Sequence, residues 1–346
     1  MIEPYMGRQR RRRPTWGLWA GAALVAAFFV ALWVVSQFKP KDPGSRAVRY
    51  VTVAPGSTAD EVALTLQRAG VIKSVWPFEI LSRWDKSSTR LTAGVYRLSP
   101  SMPLSTILDK ITRGETAVVR VAIPEGATVQ EIVARLVRAH IGHLNQYQAL
   151  ERHPLPGMPA PAKGVRDPLE GYLFPATYSF PYGTTPREAL TTMWRTFQHR
   201  VEKGLYAHSH SKLTLAQWVT LASIVQAEDS SGTQATDVAA VFYNRLAAGM
   251  RFQSDATVRY AIGHPVAGGL TLNDLTVASP YNTYQHAGLP PGPIDNPGLA
   301  ILKASLRPAR VSYLYFLSLR NGQILFATTY QQHLANIAKA NATHGQ

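Results

Sequence analysis

Two adjacent carboxylates, Glu228 and Asp229, close an otherwise apolar stretch that reads LAQWVTLASIVQAEDS. Trp218, Leu221, Ala222 and Val225 recur at helical spacing and define a face to be buried. Continued at about 100° per residue, that face carries Asp229 near its centre and Glu228 on its flank. A carboxyl at the edge of an apolar surface is desolvated, which favours its protonated form and suits it to act as a general acid near neutral pH. The same residues also read as a helix end emerging into water. Angular position leans towards Asp229 and does not by itself name the acid.

Further polar groups follow within some sixty residues. Gln253, Ser254 and Asp255 are consecutive in RFQSDATVRYAIG, and Tyr281, Asn282 and Tyr284 sit in SPYNTYQHAGLPPGPIDNPG. A loop stiffened by Pro and Gly that carries amides and phenols presents hydrogen bonds with little ordering cost, which suits sugar recognition. His208 and His210 lie in the polar turn HSHSK with no HExxH and no third partner in sequence, so they read as a solvated loop and no metal is assigned. The absence of cysteine excludes a disulfide framework, a thiol nucleophile and a cysteine-ligated zinc ribbon.

The elements that must position these groups are legible around them. Thr214 and Gln217 form a capping-box signature at the start of the apolar helix. A second helix is expected over Thr236–Met250, with Gly249 as its terminating glycine. Alternating apolar runs around Asn321-Gly322 predict a hairpin, and a terminal helix is expected over 330–340. Upstream, VTVAPGSTADEVALTLQRAGVI (51–72) and VRVAIPEGATVQEIVARLVRAHI (119–141) share one pattern: a short strand, a Pro and Gly turn, a Thr, then an amphipathic helix. In the second, Thr128 and Glu131 fit the capping box. A strand at 93–98 and a helix at 103–113 lie between them, so 48–145 is expected to hold one or two small strand–helix modules. Residues 146–168 are rich in Pro and read as a connector, a helix is expected over 186–203, and a larger mixed α+β domain is expected over 169–342. The small modules resemble the LysM-like glycan-binding fold, and the pattern reads equally as a structural spacer.

At the N-terminus, residues 14–38 carry no charge, and as a helix they would span about 37 Å, enough to cross a hydrocarbon core of about 30 Å. Arg8 and Arg10 to Arg13 precede the run, whereas Lys39, Lys41 and Arg46 follow it, which orients a single uncleaved span with its N-terminus inside. A basic tail at 1–13, an anchor at 14–38 and a linker at 39–47 follow from this. Net charge is +15, with five Arg and one Glu in the tail and 31 basic against 20 acidic residues after it. Outside a membrane such a balance faces anionic lipid or wall polymer, and with no dense basic stripe after residue 13 no nucleic acid is called for. Hydrophobic residues at 46% supply a sizeable core and exclude wholesale disorder.

In order and spacing, LASIVQAE, VFYNRLAAGM, FQSDATV, SPYNTY, GLPPGPIDNPG and YLYF resemble the YceG-like (MltG) family of membrane-anchored endolytic murein transglycosylases, over about residues 14–340. The family has two acidic positions in its SIVEKE-type motif, of which the second is catalytic. Here the first is Gln226 and the second Glu228, so the resemblance assigns Glu228 as the acid. Ala256 stands where the family's LQTDPTV-type stretch has proline.

The resemblance implies an α+β fold with a single N-terminal transmembrane helix, a LysM-like module and a mixed α+β catalytic domain. It implies non-hydrolytic cleavage of the β-1,4 bond between N-acetylmuramic acid and N-acetylglucosamine, leaving a 1,6-anhydro end and requiring no metal or organic cofactor. Motif position gives Asn244, Gln253, Ser254, Asp255, Asn282 and Tyr284 substrate-binding roles. The implied partners are peptidoglycan strands, the inner membrane, glycan polymerases and penicillin-binding proteins. Two rival readings are a hydrolase that pairs Glu228 with Asp255, and a non-catalytic wall-binding scaffold.

Overall fold

The computed structural model describes residues 16–85, 90–150, 152, 154–264, 266, 269–319 and 321–344, with side chains from Ala23 to Ala342. Two compact units divide after Val118.

The first unit opens with helix α1 (Trp16–Gln37). The basic tail and the first residues of the expected span lie outside the described residues. Among the described residues no helix is long and apolar enough to cross a membrane. The last turn of α1 meets α3, where the Trp76 ring lies 5.4 Å from Phe38 and 6.5 Å from Trp33. After it come β1 (Arg49–Val53), α2 (Ala59–Arg68), α3 (Trp76–Trp84), β2 (Gly94–Leu98) and α4 (Leu104–Thr112). β1 and β2 pair antiparallel, with Arg49 opposite Leu98 and Val53 opposite Gly94. Strand periodicity turns Val51, Val53, Tyr96 and Leu98 to one side, where they pack with Leu66, Phe78 and Ile107 in a closed core. Thr58 and Glu61 make both bonds of a capping box at the start of α2.

The second unit contains β3 (Val118–Ala122), α5 (Val129–Arg138), α6 (Leu144–Leu150), β4 (Thr177–Pro181), α7 (Pro186–Phe197), α8 (Leu215–Glu228), α9 (Ala235–Ala247), α10 (Asp255–Ile262), α11 (Leu299–Leu306), β5 (Tyr315–Ser318), β6 (Ile324–Ala327) and α12 (Tyr330–His344). The chain is therefore a mixed α+β protein with two-stranded sheets, β1–β2, β3–β4 and β5–β6. The expected hairpin is β5–β6, with Gly322 at φ +83° in its turn.

α8 is the axis of this unit. Trp218, Val219 and Ala222 enter a core shared with Ile132, Leu136, Leu173 and Trp194, while Leu221, Ile224 and Val225 enter another with Val238, Phe242, Phe252 and Ile301. Every residue from Trp218 to Gln226 is buried, Thr220, Ser223 and Gln226 included, so the helix is enclosed all round and the single buried face expected from its spacing is too narrow.

The grouping of 48–145 into one modular region is corrected here. β3 pairs with β4, and Val121, Val133 and Leu136 pack against Leu169, Leu173 and Trp194, so the second strand–turn–helix segment belongs to the unit that contains α8. The expected connector is likewise structured, because it holds the end of α6 and the wall residues Pro161, Val165 and Asp167 of a large cleft.

Candidate active site

The cleft has a volume of about 1560 Å³ and lies within the second unit. Glu228, Asp255, Arg259 and Tyr260 line one part of it, and Thr128, Glu131 and Ala134 line another.

Glu228 is the last residue of α8 and half-buried. Its Oε1 accepts a hydrogen bond from Ser254 Oγ at 2.6 Å. Burial raises its pKa above the ordinary carboxylate range. The Ser254 hydroxyl opposes that shift, the charge of Asp255 adds to it, and the Arg245 and Arg259 guanidinium groups oppose it. The carboxyl is thus held by opposing influences, an arrangement suited to a group that gives and retakes a proton.

Asp229, the residue favoured by angular position, has another task. It is 4% exposed, and α8 ends at it with φ −130° and ψ 77°. Its Oδ1 accepts from Ser231 Oγ at 2.6 Å and Gly232 N at 3.1 Å, and its Oδ2 accepts from Gln234 N at 2.7 Å. This carboxyl organises the turn leading into α9.

Ser254 is the N-cap of α10 and itself buried. Its N–H donates to Thr283 Oγ1 at 3.1 Å, its carbonyl accepts from Thr257 Oγ1 at 2.7 Å, and the two threonine hydroxyls meet at 2.8 Å. The hydroxyl that holds Glu228 is therefore fixed from behind by a buried network. Beside it, Gln253 takes a left-handed φ of +50°, and its N–H donates to Thr283 O at 3.2 Å. The Gln253 side chain is exposed and does not line the cleft.

Asp255 lines the cleft together with Glu228, and its Oδ1 accepts from Tyr284 OH at 2.7 Å. Burial pushes the Tyr284 phenol up, and the neighbouring carboxylates push it further, so it stays a donor to Asp255.

Two predicted contacts face away from the cleft. Asn282 is wholly buried; its Nδ2 donates to Leu275 O and Val277 O, each at 2.9 Å, and its Oδ1 accepts from Tyr284 N at 3.0 Å. Asn244 Nδ2 donates to Val311 O and Tyr313 O, each at 2.9 Å. Both amides brace backbone and are corrected from substrate contacts to supports. A buried carbonyl left without a donor is costly, which is why amides occupy these positions.

Spacing gave no hint of three further residues. Arg245 is 6% exposed, its Nε donates to Leu314 O at 2.6 Å and its Nη1 to Phe252 O at 2.5 Å, so it ties the segment before Ser254 to the region before β5. A charge inside an apolar helix was its one visible signal. Glu170 is buried, accepts from Val129 N at 3.1 Å and Asn296 Nδ2 at 3.0 Å, and is pushed well above its ordinary pKa by burial, then by Asp167 and Asp295. Gln226 is buried, and its Oε1 accepts from Gly298 N at 2.9 Å, joining α8 to the start of α11.

A half-buried carboxyl held by a serine and lining a cleft of this α+β unit has the arrangement of a group that can give and take a proton. The profile of the YceG-like family matches residues 51–339, and the chain belongs to that family. An endolytic murein transglycosylase of Bacillus subtilis (strain 168) is 31% identical over 316 residues, covering 87% of each chain. One of Streptococcus pneumoniae (strain D39) is 29% identical over 349 residues, and the alignment covers 92% of this chain and 63% of that relative. A crystal structure of a yceG-like protein from Listeria monocytogenes superposes with a TM-score of 0.57 at 33% identity, covering 84% of this chain and 99% of the other.

Proposed function

We propose that this protein is an endolytic murein transglycosylase, a lytic enzyme that cleaves peptidoglycan strands, with Glu228 as its single acid and base. The observation that carries the assignment is the Glu228 carboxyl at the cleft with Oε1 held by Ser254. With Oε1 engaged as an acceptor, the proton resides on Oε2 and is donated to the glycosidic oxygen as the bond to C1 of the muramoyl residue breaks. The muramoyl 6-hydroxyl then attacks C1 and gives its proton back to Glu228, which restores the acid and leaves a 1,6-anhydro end. Developing positive charge at C1 is stabilised by the ionised carboxylate, and the Ser254 hydroxyl and then Arg245 favour that ionised form.

The remaining sequence-derived roles form part of the same proposal. Asp255 and Tyr284 shape the substrate side of the cleft, and Gln253 meets strands at its edge. The apolar run at 14–38 anchors the chain in the cytoplasmic membrane with the second unit outside, and the first unit is a LysM-like glycan-binding module. Glycan polymerases and penicillin-binding proteins are the neighbours such a tethered enzyme would serve, since it reaches new strands first.

The test is mass analysis of products from purified peptidoglycan treated with the full chain and with Glu228→Gln. Anhydro-muramoyl ends that disappear in the variant support the proposal. Reducing ends would identify a hydrolase and turn attention to Asp255, and undiminished anhydro ends in the variant would remove Glu228 from its role.

A further inference from the structure

A second carboxyl in the same cleft is not used by this chemistry. Asp295 lies in the Pro/Gly loop between Ile294, whose N–H donates to Ser223 Oγ of α8 at 3.0 Å, and Asn296, which is bonded to Ala127. The loop is fastened to α8 again through Gly298 and Gln226. Ser223 and Gln226 precede Glu228 by five and two residues, so the loop carrying Asp295 is fastened about half a turn to one and a half turns along α8 from Glu228.

Asp295 is 5% exposed, and its Oδ1 is shut off from solvent with no hydrogen-bond partner. Such a group is costly to bury, because a carboxyl that loses water ordinarily gains donors in exchange. Burial, with the charge of Glu131 facing it, raises its pKa well above the ordinary range. The residue nevertheless lines the cleft, and Gly126 beside it lines the cleft too. A Cβ on Gly126 would stand 3.8 Å from Asp295 Oδ2 and 3.3 Å from the Gln226 side chain, so the absence of a side chain there leaves Oδ2, not the sealed Oδ1, as the oxygen open to the cleft.

The surroundings indicate what kind of donor fits. The cleft lining contains six carboxyl residues and three arginines in a chain of net charge +15. Glu131 acts on Asp295, and elsewhere the same lining carries Asp167, Arg152 and Arg166. Sugar rings present neutral hydroxyl and acetamido groups, whereas the peptide stems of peptidoglycan carry backbone amides, carboxylates and a free amine. A mixed-charge wall with an uncompensated acceptor is complementary to the stem.

We propose that Asp295 Oδ2, left open by Gly126 and flanked by Glu131, is the acceptor for an N–H group of the peptide stem on the strand being cut. Stem binding is then read on a wall separate from the residue that performs the cleavage. This rests on the transglycosylase reading, and binding is therefore measured apart from cutting.

The experiment measures calorimetric affinity of the full chain carrying Glu228→Gln for soluble strand fragments, with and without Asp295→Asn. Three fragments are used: intact stems, stems removed by an amidase, and stems whose amine has been acetylated. Asp295→Asn should weaken binding of intact fragments about tenfold, because a stem donor draws the carboxyl into its ionised form and the amide cannot follow, and leave stripped fragments unchanged. Its melting midpoint should not fall, because no native hydrogen bond of the Oδ1 atom is removed. Acetylation that reproduces the loss identifies the ammonium as the donor, and acetylation without effect identifies a stem amide. Equal affinity for intact fragments, an equal loss on stripped ones, or a lowered melting midpoint with unchanged affinity overturns the proposal. Wild-type product analysis reports separately on the transglycosylase reading.

Discussion

The end of α8 places two neighbouring carboxyls in opposite circumstances. Glu228 keeps part of its surface in the cleft and accepts from one side chain, Ser254. Asp229 is buried and accepts from Ser231, Gly232 and Gln234. The contrast extends outward, since Asp255 and Tyr284 meet at the cleft while Asn244 and Asn282 brace carbonyls behind it. A polar residue near an active site is useful for chemistry only if its hydrogen-bonding capacity is left partly unfilled by the fold. Those whose capacity is filled hold the others still.

The sharpest way to test that division is to neutralise each carboxyl in turn. Glu228→Gln should lower product formation by about 10²- to 10⁴-fold, the usual contribution of a general acid–base. The same variant should be more stable than wild type at pH 8. Burial raises the folded-state pKa of Glu228, so stability is lost as pH rises from the ordinary carboxylate range up to that pKa and stays lost above it, and both states are protonated below the ordinary range. Thermal melts should therefore show a gain at pH 8 that closes towards pH 4. Asp229→Asn should do the reverse, losing about 1–3 kcal/mol of stability in denaturant melts while folded protein keeps its turnover within a few-fold. If Asp229→Asn were stable and inactive, the division would break.

Smaller effects refine it. Ser254→Ala removes the hydroxyl that favours the ionised form of Glu228, so the pKa of the acid should rise further. The basic limb of the rate–pH profile should then move to higher pH, with turnover reduced about tenfold through lost positioning. A profile that did not move would separate Ser254 from Glu228. Asn244→Ala should cost about 1–2 kcal/mol in melting experiments for two bonds to carbonyls near β5, with the pH profile unchanged.

Much of the second unit was legible because its signals are local. Thr214–Gln217 and Thr128–Glu131 make the capping boxes their sequences spell out, and Asn321-Gly322 turns the expected hairpin. Helical periodicity was right that Asp229 is buried, yet burial of a fully bonded carboxyl does not make it an acid. What stayed hidden depends on partners distant in the chain. The hydroxyl that holds Glu228 comes from 26 residues away, and the carbonyls bound by Asn244 from 67 and 69. Strand pairing is of the same kind: the two strand–turn–helix segments look alike in sequence, but β1 finds β2 in its own core whereas β3 finds β4 beside α7 and α8.

The second of those segments has a consequence for how the cleft wall can be altered. α5 buries Val129, Ile132, Val133 and Leu136 inward and turns Gln130, Glu131 and Ala134 to the cleft. Packing residues and cleft residues thus interleave along one short helix, with Val133 in both sets, remote in sequence from Glu228. Substitutions at Gln130, Glu131 or Ala134 would therefore change the cleft wall while leaving the packing of α5 and the Glu228–Ser254 bond in place.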